Sequence, residues 1–136
     1  MKRQSGGGAG PALVCVVDDD AALRCAMLNL LEAEGYAAHA FDSGESLLAW
    51  PGLAGIDVAV FDVCLRGMDG FALRRSLAAR GLAFPVLFVS GHLDAGMAER
   101  AAGADGAGLL GKPVDPDLLL GHIARALRAR AQGGAS

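Results

Sequence analysis

Polar residues able to do chemistry stand where the apolar runs of this chain stop. Asp18, Asp19 and Asp20 follow the run at 12–17, Asp62 follows 56–61, Ser90 follows 86–89 and Lys112 comes just after 107–110. Adjacent carboxylates repel by on the order of 1 kcal/mol even in water, so a crowd of them calls for a counter-charge. A hard divalent cation such as Mg²⁺ prefers oxygen ligands and bridges carboxylate to phosphate. An aspartate can attack phosphorus as a nucleophile. A hydroxyl and a compact ammonium can hold the phosphoryl oxygens. Gathered together, these residues make a metal-dependent phosphoryl-transfer site with Asp62 as nucleophile, Ser90 and Lys112 on the phosphoryl oxygens, and an acidic pair on the metal. Taken singly, each has a plainer reading: Asp as helix cap or turn former, Lys as solvated surface. Their recurrence at the ends of successive runs favours the functional reading.

The elements that must bring them together follow from periodicity. Residues 12–17 are apolar without a break and half of them are β-branched, as in a strand buried on both faces of a parallel sheet. Leu23, Met27, Leu30 and Leu31 then form one helical stripe that stops at Gly35. Residues 36–41 read as a second strand, and Ser43 caps a short helix that Pro51 ends. Residues 56–61 make a third strand. The loop CLRGMDG leads from it to a helix over 69–80, with Asp69 as its cap. Pro85 opens a fourth strand at the one position where a strand tolerates proline. A helix over 93–102 that carries Gly96 and is followed by Gly103, Gly106 and Gly108, a short strand over 107–110 and a helix from Asp115 bearing Leu119, Ile123, Ala126 and Leu127 complete five βα units. Right-handed crossovers put helices on both faces of such a sheet. The expected fold is α/β, a doubly wound five-stranded parallel sheet in the order 2-1-3-4-5, flavodoxin-like. In such a sheet ligands bind at the carboxyl ends of the strands, the edge where all the polar residues above fall. The domain is expected over 12–131, between flexible segments at 1–11 and 132–136.

With 136 residues, 53% hydrophobic and 20% charged, the composition is that of one soluble globular domain. A net charge of −3 provides no overall positive field for nucleic acid or an anionic membrane. Cys15, Cys25 and Cys64 include no C-x-x-C pair, which argues against a disulfide framework or a zinc site and for a reducing, cytoplasmic setting. The start, MKRQSGGGAGP, has neither the apolar core of a signal peptide nor the G-K-[ST] of a phosphate loop. No later segment is long enough to span a bilayer.

The motifs VVDDD, VFDVCLRGMDG, VLFVSGH and LLGKP, in this order and spacing, resemble the receiver domain of two-component response regulators over 13–127, and the GH after Ser90 resembles the FixJ-type branch. The resemblance implies Asp62 as phospho-acceptor, with Asp18, Asp19, Asp62 and the backbone carbonyl of Cys64 as ligands to Mg²⁺, or Mn²⁺ in its place. Asp20 is then left as a helix cap, and Lys112–Pro113 is expected to be cis. The implied donor is a sensor histidine kinase or a histidine phosphotransfer protein. The implied output is a protein target or a phosphorylation-linked homodimer, with the surface at 93–131 reorganised. Neither nucleic acid nor membrane is expected as a direct partner of this domain. The chain departs from the family at Arg66, in a loop that often carries proline, at Leu109, where an aromatic residue usually reports phosphorylation, and at Val114, where Phe is common after Lys-Pro.

Other classes fit less well. A haloacid-dehalogenase-type phosphatase usually carries a second Asp two residues past its nucleophile, where this chain has Cys64. An FMN site would set three aspartates against the flavin phosphate. A phosphorylation-independent docking module fits Leu109 but not the intact Asp, Ser and Lys set. His92 lies where the family borders the phosphoryl group, although on residue type alone it reads as surface. His39 and His122 read as structural or exposed, Trp50 as packing, Cys64 as an inert thiol, and Arg125, Arg128 and Arg130 as solvated charges on the last helix. No output domain follows residue 127 in this sequence, as expected of a stand-alone regulator or the receiver of a longer protein.

Overall fold

A computed structural model describes residues 10–104 and 106–134. The segments at 1–9 and 135–136, parts of the expected flexible termini, lie outside the described residues, whereas residues 132–134 of the expected C-terminal tail belong to the last helix. Five parallel strands, β1 (Leu13–Val17), β2 (Ala37–Phe41), β3 (Val58–Asp62), β4 (Val86–Ser90) and β5 (Gly106–Gly111), form one sheet in the order β2-β1-β3-β4-β5. The helices between and after them are α1 (Ala21–Ala33), α2 (Gly44–Leu48), α3 (Gly70–Ala79), α4 (Ala95–Gly103) and α5 (Pro116–Gly134), and a single 3₁₀ turn (Leu53–Gly55) precedes β3. This is the doubly wound order expected from the sequence.

The alternation of side chains along a strand divides the core in two. Val14, Val16, Val58, Val60, Leu87 and Val89 face α1 and α5, where they meet Met27, Leu31, Leu119 and Ile123. Cys15, Val17, Ala59, Phe61, Val86 and Phe88 face the other way, toward Leu47 of α2, Phe71, Leu73 and Leu77 of α3, and Ala101 of α4. With helices on both faces, the strands need no polar face, hence their unbroken apolar runs.

Side-chain caps fix the helix starts. Asp20, Ser43, Asp69 and Asp94 each accept backbone N–H bonds from the first turn of α1, α2, α3 and α4 respectively. Asp115 Oδ1 does the same for α5 from Asp117 and Leu118, ahead of a proline at the first helical position. The Asp94 cap explains why α4 starts at Ala95 and not at 93. Gly35, at φ +92°, ends α1 in a conformation that disfavours a side chain. Three strands, β3, β4 and β5, run one residue longer than expected at their carboxyl ends, because Asp62 pairs with Val89 and Ser90 with Gly111 in the sheet ladder.

Candidate functional site

Strand order reverses on either side of β1, which lies between β2 and β3, and the crevice of a doubly wound sheet opens at such a point. Val17 is in register with Phe61, so the next residue on each strand, Asp18 and Asp62, emerge side by side. Both are almost fully buried, 2% and 4% exposed, whereas Asp19 is exposed beside them. One carboxylate oxygen from each of Asp18, Asp19 and Asp62 lies within 4.8 Å of the others.

Local bonds hold the two buried carboxylates. Asp18 Oδ1 accepts the Asp20 backbone N–H at 2.9 Å, and half-buried Arg24 donates to the Asp18 carbonyl at 2.7 Å. Asp62 Oδ1 accepts the Cys64 N–H at 3.1 Å. Behind Asp62 the backbones close in: Gly70 N donates to the Val63 carbonyl at 3.0 Å, and a Cβ on Gly70 would lie 2.5 Å from the Asp62 carbonyl oxygen. Only glycine allows α3 to start so near the end of β3.

Lys112 neutralises the buried pair. Its Nζ lies 3.1 Å from Asp62 Oδ2 and 3.2 Å from Asp18 Oδ2. Lys112 is placed by β5, since its backbone N–H donates to the Ser90 carbonyl at 2.9 Å. The peptide bond that follows, Lys112–Pro113, is cis, as the resemblance implied. Burial raises the Asp18 carboxyl above its ordinary range, with Asp62's charge adding to it, against the lowering effects of the Asp20 N–H and Lys112. For Lys112, burial acts against the charge but is outweighed by the bonds to Asp62 and Asp18, so its ammonium is held more firmly than usual.

Asp19 has a different partner, Arg66 of the β3–α3 loop, whose Nε lies 3.7 Å from Asp19 Oδ2. Asp20 is the cap of α1, as the resemblance left it. Ser90 is fully buried at the end of β4, but its hydroxyl is engaged locally: it donates to the His92 carbonyl at 2.9 Å and accepts the His92 N–H at 3.0 Å. The fold thus brings Asp18, Asp19, Asp62 and Lys112 into contact range and leaves the Ser90 hydroxyl turned to its own loop. His92 is exposed. Leu109 is half-buried against the α3/α4 side of the core.

The donor set suits a hard cation: three carboxylates, with no thiol or imidazole among them. Cys64, exposed, offers a backbone carbonyl that accepts no hydrogen bond among the described residues. Residue types and spacing gave no sign of the supporting roles of Arg24 and Gly70. The only available signal was the Asp-Gly pair after Asp62, and it read simply as a cap.

The family profile described as response regulator receiver domain matches residues 14–124. The chain is 35% identical over 116 residues to the transcriptional regulatory protein FixJ of Bradyrhizobium diazoefficiens, covering 85% of this chain and 56% of FixJ. It is 32% identical over 121 residues to the response regulator protein TmoT of Ectopseudomonas mendocina, covering 89% and 55%. This chain therefore spans little more than half the length of either relative. Among solved structures, it superposes on the response regulator StyR with a TM-score of 0.80 at 32% identity, covering 93% of this chain and 64% of that one. On the chemotaxis protein CheY4 of Vibrio cholerae the TM-score is 0.81 at 26% identity, covering 87% and 100%.

Proposed function

The chain belongs to the response regulator receiver domain family of two-component signalling, and on that premise we propose that Asp62 is its phospho-acceptor, served by Lys112, Ser90 and a divalent cation. The observation that carries this reading is the meeting of Asp18, Asp19 and Asp62 at one strand edge, with Lys112 between the two buried carboxylates. Two carboxylates buried at such close range repel and are costly to desolvate, a cost that Lys112 offsets in part.

Asp18, Asp19, Asp62 and the Cys64 carbonyl would hold Mg²⁺, or Mn²⁺ in its place. When bound, the ion supplies positive charge that lets phosphate oxygens approach the carboxylates. The donor is the phosphohistidine of a sensor kinase or histidine phosphotransfer protein. Asp62 attacks its phosphorus: the bond from Asp62 oxygen to phosphorus forms, the phosphorus–nitrogen bond breaks and the imidazole nitrogen takes up a proton. Lys112 holds the charge that develops on a phosphoryl oxygen. Ser90 joins only after its hydroxyl leaves the His92 carbonyl. The signal passes in the cytoplasm to a protein partner or a second copy of the chain through the surface at 93–131. No helix among the described residues is long and apolar enough to cross a membrane.

Incubation with acetyl phosphate and Mg²⁺, followed by intact-mass measurement, tests the reading. The expected result is a gain of one phosphoryl group that is absent in Asp62→Asn and when EDTA replaces Mg²⁺. An unchanged mass for the unsubstituted protein would overturn it.

A further inference from the structure

The β3–α3 loop carries a cation that no packing requirement explains. Arg66 is 92% exposed along its side chain, so it contributes nothing to the core, yet its Nε stands 3.7 Å from Asp19 Oδ2. The loop aims it there. Cys64 N–H to Asp62 Oδ1 and Gly70 N–H to the Val63 carbonyl tie down the two ends. Between them the Met68 N–H donates to the Arg66 carbonyl at 2.9 Å across Gly67, which adopts φ +78°, a tight three-residue reversal. The Glu45 carboxylate lies beside the same turn, 3.1 Å from where a Cβ on Gly67 would be.

Two cations thus divide three carboxylates. Lys112 serves Asp18 and Asp62, and among the described residues Arg66 is the one cation within 4 Å of Asp19. Lys112 is held by two partners and partly buried. Arg66 has a single exposed contact, longer than a hydrogen bond. Of the two, Arg66 is the one that yields readily.

Building on the function proposed above, we infer that Arg66 gates Asp19. It occupies the carboxylate that a divalent cation needs, and once displaced its guanidinium stays at the mouth of the site as a donor for the oxygens of an incoming phosphoryl group. A guanidinium suits the second task, because its fork of N–H groups matches two oxygens of a phosphate. One side chain therefore weakens metal binding and speeds phosphorylation.

Arg66→Ala separates the two effects because they have opposite signs. Exposed pairs of this kind are worth a small factor, so calorimetric titration with MgCl₂ at low ionic strength is expected to give about two- to fivefold tighter binding in Arg66→Ala, a gain that shrinks in about 1 M salt. With Mg²⁺ saturating, phosphorylation by acetyl phosphate is expected to be slower in the same variant by a similar or larger factor. Arg66→Lys, which keeps the charge but lacks the fork, should restore the unsubstituted Mg²⁺ affinity while recovering only part of the rate. Equal or weaker Mg²⁺ binding in Arg66→Ala overturns the gate, and an equal or faster rate overturns the donor role. The titration needs no phosphorylation. If the unsubstituted protein takes up no phosphoryl group, the function proposed above fails and the donor role with it, while the Mg²⁺ comparison still decides the gate.

Discussion

Replacing Lys112 with alanine removes the one charge between Asp18 and Asp62, and the structure limits what that can cost. Removing one member of a buried ion pair typically costs about 3–5 kcal/mol, because the other member is left charged and unsolvated. Here the site has an escape. Asp18, already raised by burial, can take a proton and share it with Asp62, so that one proton replaces the ammonium. Keeping a carboxyl with an ordinary value of 3.8 protonated costs 1.36 kcal/mol per pH unit above that value, a ceiling of about 4 kcal/mol at pH 7 and under about 2 kcal/mol at pH 5. The sign follows from linkage. In the variant the folded chain keeps a proton that the unfolded chain has released, so its stability falls as pH rises above 3.8 toward the folded value. The unsubstituted protein carries part of this slope already, and Lys112 is partly exposed, so both figures are upper bounds. Urea denaturation of both proteins in EDTA is expected to give a deficit of about 2–4 kcal/mol at pH 7 that at least halves at pH 5. A deficit below about 0.5 kcal/mol at pH 7, or one no smaller at pH 5, would refute the claim that Lys112 neutralises a buried pair.

Three further outcomes follow from particular contacts. Gly70→Ala would push a methyl group to 2.5 Å from the Asp62 carbonyl oxygen, so a loss of about 1–3 kcal/mol is expected on denaturation, with slower phosphorylation; Gly103→Ala, which meets nothing within 4 Å, should be neutral or slightly stabilising. Arg130 donates to the carbonyls of Ile56 and Asp57, both at 2.8 Å, so Arg130→Ala is expected to cost about 1–3 kcal/mol in urea denaturation, whereas exposed Arg128→Ala should stay within about 0.5 kcal/mol. Cys15 is fully buried and its thiol is pushed up to about 12 by that burial, while Cys25 and Cys64 are exposed; iodoacetamide at pH 8 should therefore add two labels to the native protein and three to the unfolded one, as read by mass.

Arg130 adds to the sequence reading. The arginines of the last helix were expected to be solvated, and Arg130 is exposed, but it also reaches across to the start of β3 and lies 3.5 Å from Asp57 Oδ1, while Asp57 Oδ2 accepts the Leu13 N–H at 2.7 Å. This clasp fastens the far end of α5 to β1 and β3. More than 70 residues separate Arg130 from its partners, and no local pattern reports such a contact. His39 and Trp50, by contrast, behave as residue type suggested. Their rings pack 5.0 Å apart, with Phe41 on the other ring contact of Trp50 at 5.4 Å.

By itself the sequence determined the strands, most of the helices and their caps, because each rests on interactions within a few residues: alternation along a strand, a stripe at helical spacing, an aspartate or serine ahead of a first turn. It also determined that Asp18, Asp62, Ser90 and Lys112 would share one edge of the sheet, since a right-handed βα repeat puts every strand end there. Only the tertiary structure decided which of them touch. The register of β1 against β3 pairs Asp18 with Asp62, the path of β5 brings Lys112 between them, and the loop after β4 turns the Ser90 hydroxyl toward His92. These are distances of a few ångströms between segments far apart in the chain. They depend on how the helices seat against both faces of the sheet, which no short stretch of residues encodes.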